Sequence, residues 1–274
     1  MWKSDQEMMD PHVFLVIVAS HLMNLLFFVS DYLMYRLPAT GLLTPWCVRT
    51  VPSSLLTAVI FFSFYSAYTV MLFPSLLSLL RFLLITTPNS LLTAVFLRFS
   101  LPFIFLYPIF FTFFLVPATG ICKPLGSPYP FGAVMVYYFG SFRGIHNSPF
   151  YLGNIVVWMI IGAVINALLL LKLTGFKYTS ESFGRSKGRK AEFSITVTTV
   201  SMLLSALLNC IFVVIYLKSP SIIDYLTLVK PIGSDCETVV SPWIFYLTHP
   251  MFSKSRQLKT EHASKSPIVV NAMF

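Results

Sequence analysis

The sequence is short of charged residues: Asp, Glu, Lys and Arg together make up 11% of its 274 positions. A soluble domain usually carries about 25% charged residues, so a water-soluble protein of this size could not cover its surface with so few. Hydrophobic residues make up 56% of the chain, and Phe alone accounts for 27 positions. This composition excludes an ordinary soluble domain and indicates a membrane protein.

The sequence also lacks the motifs of common enzyme sites. It contains no H-E-x-x-H, no Walker A motif and no G-x-G-x-x-G. One G-x-S-x-G match, at residues 184–188, has no strand before it, whereas a nucleophile elbow needs a strand-to-helix turn. The five His residues are scattered along the chain. We therefore predict a protein that is not an enzyme and that binds no metal ion or cofactor.

Six apolar stretches account for most of the chain. A membrane-spanning helix needs about 20 mainly apolar residues, and these stretches are too long for barrel strands of about 10 residues. The sequence thus predicts an all-α, polytopic transmembrane bundle over residues 1–252 and a cytoplasmic tail over residues 253–274. The predicted spans are residues 11–33, 53–86, 99–119, 149–172, 193–217 and 227–252.

Two of these spans are unusual. The second contains Pro74 but no polar turn, which favours one long tilted or kinked helix over two spans. The sixth has Lys230, Asp235 and Glu237 in its outer part. Ionisable residues inside a membrane are costly and usually face the bundle, so these three lie either there or in an outer loop at the interface.

The distribution of Lys and Arg predicts the orientation. If the N-terminus is cytoplasmic, about two thirds of the 19 basic residues fall on the cytoplasmic side, as the positive-inside rule requires. Both termini are then cytoplasmic, and the bias comes mainly from the loop at residues 172–190 and from the tail. The net charge of +9 is explained by these segments, so the predicted partner is the lipid bilayer and not a nucleic acid. The near absence of carboxylates inside the spans counts against a pump or proton-coupled transporter.

The four Cys residues differ in their predicted surroundings. Cys47 and Cys122 fall on the oxidising side, where disulfides persist. A bond between them would tie the second span to the long outer loop at residues 119–149. Cys236 is a rival partner, and Cys210 reads as a small apolar filler of a helix core.

Several polar residues lie inside the predicted spans and have two interpretations. Arg81 ends the second span, either as a snorkelling anchor or as a switch residue at a cytoplasmic opening. Small and polar residues at four-residue spacing usually form helix contacts, but the same faces could line a ligand pocket or an ion pathway. The candidate pocket residues are His21, Asn24, Asn154 and Trp158, and the wider stripes add Gly162, Asn166, Ser201, Ser205 and Asn209.

Short segments along nearly the whole chain carry a family resemblance. They are PHVF at 11–14, DYL at 31–33, TGLLT at 40–44, MLFP at 71–74, YPFGAV at 129–134, KAEFS at 190–194 and PWIFYLTHP at 242–250. With these segments the sequence resembles the nematode serpentine chemoreceptors, which are G-protein-coupled-receptor-like proteins. Within the class gamma and class U group, class U is the most similar.

The resemblance implies a chemosensory receptor in the plasma or ciliary membrane of chemosensory neurons. Such a receptor binds a small molecule and signals to a heterotrimeric G protein. Arg81 would take the place of the arginine at the inner end of the family's third helix, and Cys47 and Cys122 match the family's disulfide bridge. The other residues implied on the G-protein side are Lys190, Glu192, Pro242 and Tyr246.

The same alignment places the first apolar stretch at the family's second helix. The six spans would then correspond to helices two to seven of a seven-helix receptor, with the usual first helix missing. The chain would be a truncated or mispredicted product or a six-helix variant. Two alternatives to a signalling receptor follow: a non-signalling receptor remnant, and a channel or transporter subunit lined by the Asn154 and Ser201 faces.

Overall fold

The computed structural model describes residues 11–86, 90–129, 132–175, 185–219 and 223–248. Within these ranges the chain forms a helix bundle with a β-hairpin at one end. We call this the hairpin end and the opposite end the Arg81 end. The helices are α1 (Pro11–Asp31), α2 (Thr44–Arg49), α3 (Ser54–Thr86), α4 (Ser90–Leu106), α5 (Asn147–Gly175), α6 (Arg185–Lys218) and α7 (Ile223–Asp235), and the strands are β1 (Thr119–Pro124) and β2 (Val134–Phe139).

Three of the helices continue past a local irregularity. Helix α1 passes through a π-helical turn into Leu37–Ala39, and α7 passes through another into Ser241–Thr248. Helix α4 is interrupted near Pro108, which lacks a backbone N–H, and resumes at Ile109–Thr112 before a 3₁₀ turn at Phe113–Leu115.

Five described helical segments are long and apolar enough to cross a membrane. This finding confirms the polytopic helical bundle. The extended α7 is not among the five; it carries four ionisable residues, and its crossing stays a prediction. The five segments are His12–Ala39, Ser54–Thr86, Leu91–Leu115, Asn147–Lys172 and Ser194–Lys218.

The third spanning segment differs from the sequence prediction in where it begins. The predicted span started at residue 99, after Arg98, because a charge was taken to mark a loop. In the structure α4 begins at Ser90 and includes Arg98, whose side chain is exposed. An exposed arginine can lie on a helix and extend its charged group toward water, so the charge does not end the helix.

Helix α3 forms the centre of the bundle and packs against α1, α5 and the hairpin. It is one continuous helix despite Pro74. Many of its buried side chains are hydroxyls, and several donate to the carbonyl four residues earlier, as Ser66 does to Phe62 and Ser78 to Pro74. This pattern keeps polar groups satisfied inside a helix that has little contact with solvent.

The main apolar core lies toward the Arg81 end. There α3 packs against α1, α4, α6 and the last part of α7. The fully or nearly buried members of this cluster are Val13, Val16, Ile17, Leu72, Phe73, Leu76, Leu77, Leu80, Leu97, Ile104, Ile195 and Phe245.

The long outer loop contains a β-hairpin, which the all-α prediction did not include. Strands β1 and β2 pair antiparallel, with Cys122 opposite Val136. The sequence of β2, VMVYYF, is rich in the β-branched and aromatic residues that favour strands. The prolines and glycines between the strands are typical of a turn-rich loop, so the sequence predicted a loop here and not a pair of strands.

Gly120 fixes the hairpin directly on α3. Its carbonyl accepts from the Ser53 N–H at 3.1 Å, and its own N–H donates to Thr57 Oγ1 at 2.7 Å. A Cβ at this position would lie 2.4 Å from Leu56 Cβ and 2.5 Å from the Thr57 nitrogen. Only glycine therefore allows this approach between strand and helix.

We expect Gly120→Ala to lower the melting temperature of the purified protein, because the hairpin must move away from α3. Overpacking of this kind costs about 1–3 kcal/mol. Gly153→Ala is the matched control, since a Cβ there meets nothing within 4 Å. Thermal unfolding in lipid nanodiscs measures both, and an unchanged melting temperature for Gly120→Ala would show that the close contact does not constrain the fold.

Candidate ligand cavity and the Arg81 site

Four charged residues join α1 to α7 at the hairpin end. The Asp31 carboxylate is 1% exposed, and Lys230 Nζ lies 2.8 Å from its Oδ1. Arg36 Nε lies 3.6 Å from Asp31 Oδ2. The Arg36 guanidinium also donates to both oxygens of Asp235, at 2.7 and 3.1 Å. Two acids and two bases thus form a neutral cluster, which we call the ionic cluster.

The ionic cluster corrects the outer-loop interpretation of the sixth stretch. Lys230, Asp235 and Glu237 all belong to the continuous helix that runs from α7 to Thr248. Lys230 and Asp235 tolerate this position because α1 supplies their partners Asp31 and Arg36. A buried charge is stable in a protein when it is paired and hydrogen-bonded.

A cavity of about 140 Å³ lies beside the ionic cluster, beneath the hairpin. Its walls come from α1, α3, α5, α6, α7 and β2 and from the segment before α5. Five tyrosines and three phenylalanines make it mainly aromatic. The aromatic lining residues are Phe27, Phe64, Phe212, Tyr35, Tyr137, Tyr138, Tyr151 and Tyr216; the polar ones are Ser63, His146, Asn147, Ser148, Asn209 and Lys230.

The hairpin contributes two neutral phenols to this cavity. Burial raises the pKa of both Tyr137 and Tyr138 above the usual value for tyrosine, so both remain protonated at physiological pH. The Tyr138 hydroxyl accepts from the Asn147 N–H at 3.1 Å. Tyr68 of α3 donates to the side chain of the same Asn147 at 2.8 Å. These bonds hold the beginning of α5 against the hairpin and α3.

Two of the predicted pocket residues, Asn154 and Trp158, form a helix contact. The Tyr107 hydroxyl donates to Asn154 Oδ1, and Trp158 Nε1 donates to the same hydroxyl at 3.0 Å. Trp158 also lines a smaller cavity of about 20 Å³, which shares Phe27 with the larger one. Neither residue lines the larger cavity.

The other two predicted pocket residues, His21 and Asn24, lie on α1 away from both cavities. Asn24 is buried. Within the part of the chain that the structure describes, Asn24 Oδ1 and His21 Nδ1 have no hydrogen-bond partner. Their role in ligand binding stays a prediction.

On α5, further along the face that carries Asn154 and Trp158, Asn166 joins three helices. Its Nδ2 donates to Ser78 Oγ on α3 at 2.7 Å, and Thr199 of α6 donates to its Oδ1 at 3.1 Å. Gly162 permits this packing, since a Cβ there would lie 3.0 Å from Ser75 Oγ and from Leu203 Cδ2. The polar stripe of α5 is therefore a helix interface over this length.

Arg81 is buried in the bundle and does not snorkel to the surface. The whole residue is 1% exposed, and its guanidinium donates to Thr196 Oγ1 on α6 at 2.6 Å. Its neighbour Leu80 shares the main core with Ile195 and with Phe245 from the end of α7. Arg81 is thus positioned where α3, α6 and α7 meet.

The remaining predicted G-protein-side residues lie on the two neighbouring helices. Pro242 is half-buried and Tyr246 is 42% exposed, both in the last part of α7. Lys190 and Glu192 lie in α6, but their side chains fall outside the described residues. The shared role of these four residues and Arg81 stays a prediction.

The predicted disulfide is present. Cys47 and Cys122 are bonded, with a Cα–Cα distance of 5.8 Å. The rival candidate Cys236 and the helix residue Cys210 are both free. The bond attaches α2 to β1 and so closes the hairpin end of the bundle over the cavity.

Comparison with known proteins agrees with this architecture. The model of the family described as "Serpentine type 7TM GPCR chemoreceptor Sru" matches residues 1–255. The chain belongs to the Sru family. It is also similar to serpentine receptor class U-26 of Caenorhabditis elegans, with 39% identity over 202 aligned residues. The aligned region covers 73% of this chain and 70% of that protein. Membership of Sru confirms the class U resemblance, and a receptor family fits a protein that is not an enzyme.

Sequence reasoning missed the ionic cluster and most of the cavity of this Sru protein. A signal for the cluster was available: Asp31 and Arg36 end the first apolar stretch, and Lys230 and Asp235 begin the sixth. Opposite charges at the same membrane depth are candidates for pairing. The cavity had no such signal, because its five tyrosines come from four elements that are far apart in the sequence.

We expect Asp31→Asn to destabilise the protein strongly, because it leaves the Lys230 ammonium without its anion. Breaking a buried pair from one side costs about 3–5 kcal/mol. Asp235→Asn is the matched control: that side chain is 44% exposed, and exposed pairs contribute at most about 1 kcal/mol.

Thermal unfolding in nanodiscs distinguishes these variants. The double variant Asp31→Asn/Lys230→Met should melt above Asp31→Asn, since no buried charge is then unpaired. Equal melting temperatures for Asp31→Asn and Asp235→Asn would contradict a structural role for the buried pair.

Proposed function

We propose that this protein is a chemosensory receptor that binds a small molecule in the cavity beneath the hairpin and signals to a heterotrimeric G protein at the Arg81 end. The observation that supports this best is the cavity itself, a mainly aromatic space lined by five helices and by strand β2 of the disulfide-linked hairpin. Membership of a chemoreceptor family supports the signalling role.

The proposed orientation places the hairpin end outside the cell and both termini in the cytoplasm. A disulfide persists on the oxidising side of a membrane, which supports an external position for Cys47 and Cys122. The basic segment between α5 and α6 supports a cytoplasmic position for the Arg81 end. The expected location is the plasma or ciliary membrane of chemosensory neurons.

The proposed mechanism is a shift between two packings of the bundle. A ligand that contacts α5, α6 and α7 in the cavity can favour one arrangement of these helices around α3 only through differential affinity. The hydrogen bonds of Asn166 and of Arg81 join α6 to its neighbours at successive depths. Movement of α6 away from α3 would break the Arg81–Thr196 bond and open the cytoplasmic end to a G protein.

The channel alternative has less support. It requires a water path along the Asn154 and Ser201 faces. Asn154 instead bonds to Tyr107, and Ser201 Oγ lies 3.2 Å from Ser241 Oγ on the last part of α7. Both residues are used in contacts between helices.

We expect Ala67→Phe to reduce the response to activating compounds at least tenfold, because Ala67 lines both cavities and a phenyl ring would fill the space. The measurement is a G-protein reporter in cells, with compounds first found by activation of the wild type. Ala94→Phe places the same ring on an exposed helix position and should leave the response unchanged. Equal responses of both variants would show that the cavity is not the ligand site.

We expect Arg81→Ala to abolish signalling while surface expression remains. Arg98→Ala is the matched control, because Arg98 is exposed on α4. Surface labelling of a tagged protein confirms delivery, and thermal unfolding of the purified variant confirms folding. Full signalling by a folded, surface-expressed Arg81→Ala protein would exclude the switch role.

A further inference from the structure

We infer that the cavity selects a small carboxylate whose head pairs with Lys230 and whose apolar body, about one aromatic ring in size, fits between the phenyl groups. This inference rests on the proposed function, since it takes the cavity to be the ligand site. It adds the chemical class of the ligand and the residue that recognises it.

Of the two bases in the ionic cluster, Lys230 is the one that lines the cavity. Its ammonium group has three donors, of which one reaches Asp31 at 2.8 Å. The nitrogen also lies 3.4 Å from the centre of the Tyr35 ring, which is itself part of the cavity wall. A further N–H therefore remains for a ligand.

The anion that neutralises Lys230 does not face the same space. Asp31 is 1% exposed and is not among the lining residues, and no other carboxylate among the described residues lines the cavity. Among the described residues, Lys230 is thus the one Lys, Arg, Asp or Glu side chain that a ligand meets in the cavity. An ammonium ligand would approach Lys230 with no acid in reach, and like charges in a poorly solvated space repel strongly.

When a carboxylate is added, each charged group of the ionic cluster still has an oppositely charged neighbour. Lys230 can turn from Asp31 toward the ligand because Asp31 keeps Arg36, whose Nε is 3.6 Å away. Arg36 meanwhile retains Asp235 at 2.7 Å. No acid of the cluster is left without a cation, so the ligand does not strand a buried charge.

The size of the body follows from the space and its walls. A dry cavity of about 150 Å³ accommodates benzene, and the volume here is about 140 Å³. Phe27, Phe64 and Phe212 supply aromatic surface, and aromatic rings in contact gain about 0.5–1.5 kcal/mol beyond burial. Asn209 and Tyr216 add neutral hydrogen-bonding groups to the cavity wall.

The test uses three probes of one size that differ in charge: benzoate, benzamide and benzylammonium. Ligand-observed NMR measures their binding to the full chain in nanodiscs at neutral pH. We expect benzoate to bind at least tenfold more tightly than benzamide, and benzylammonium to show no binding that benzoate displaces.

The variants assign the benzoate signal to Lys230. Lys230→Met should weaken benzoate binding at least tenfold. The double variant Asp31→Asn/Lys230→Met should do the same. Because it removes both charges of the buried pair, its loss of binding does not result from an unpaired buried charge. Lys230→Arg should retain binding. Lys218→Met, at an exposed lysine outside the cavity, should change nothing.

Three results would overturn the inference. The first is equal binding of benzoate and benzamide that Lys230→Met leaves unchanged; if Ala67→Phe still blocks it, the cavity remains the ligand site and only the carboxylate preference fails. The second is benzoate binding that survives Ala67→Phe, which places the probe elsewhere. The third is no binding of any probe to the wild type, in which case the Ala67→Phe signalling test still decides the proposed function separately.

Discussion

The bundle depends on the requirement that every polar group of the central helix α3 finds its partner within the protein. Water is not available inside a bilayer to satisfy an exposed donor or acceptor. Hydroxyls such as Ser66 solve this locally, through the carbonyl of the preceding turn. Ser78 and Arg81 also bond to α5 and α6. These bonds fix how the neighbouring helices are rotated about α3. That arrangement determines where the cavity and the Arg81 site lie.

The two ends of the bundle meet this requirement differently. At the hairpin end, Gly120 brings a strand against α3, the disulfide attaches that strand to α2, and the ionic cluster joins α1 to α7. These restraints leave a protected space between the helices. At the Arg81 end the contacts include the Arg81–Thr196 hydrogen bond, the pairing of the Ser194 and Thr248 hydroxyls at 2.6 Å, and apolar packing around Leu80 and Phe245. Within the described ranges the disulfide and the salt bridges all lie at the hairpin end, so hydrogen bonds and apolar packing hold α6 and the last part of α7 at the Arg81 end.

The features that the sequence predicted correctly depend on composition along a single segment. Apolar runs such as residues 54–86 identify helices because the bilayer imposes their length, and the Cys47–Cys122 bond was one of the pairings that the sequence allowed. The missed features depend on distant segments. The hairpin requires β1 and β2 to pair across a turn-rich loop, and the ionic cluster pairs residues about 200 positions apart.

Arg98 led to a wrong boundary for α4, because a charge can lie on an exposed helix face as well as in a loop. Asn154 and Trp158 were reasonable pocket candidates, but spacing alone does not say whether a polar face meets a ligand or another helix.

The ionic cluster connects the cavity beneath the hairpin to helix packing. Lys230 belongs to the cavity wall and also holds α7 to α1 through Asp31. A ligand that engages Lys230 therefore acts on the contact between two helices and not only on a wall of the pocket. Since α7 continues through its π-helical turn to Phe245, which packs in the core with Leu80 and Ile195, a change in its hold on α1 would reach the surroundings of Arg81 along one helix. The position of a single lysine thus offers a physical route from ligand charge to the packing of the opposite end.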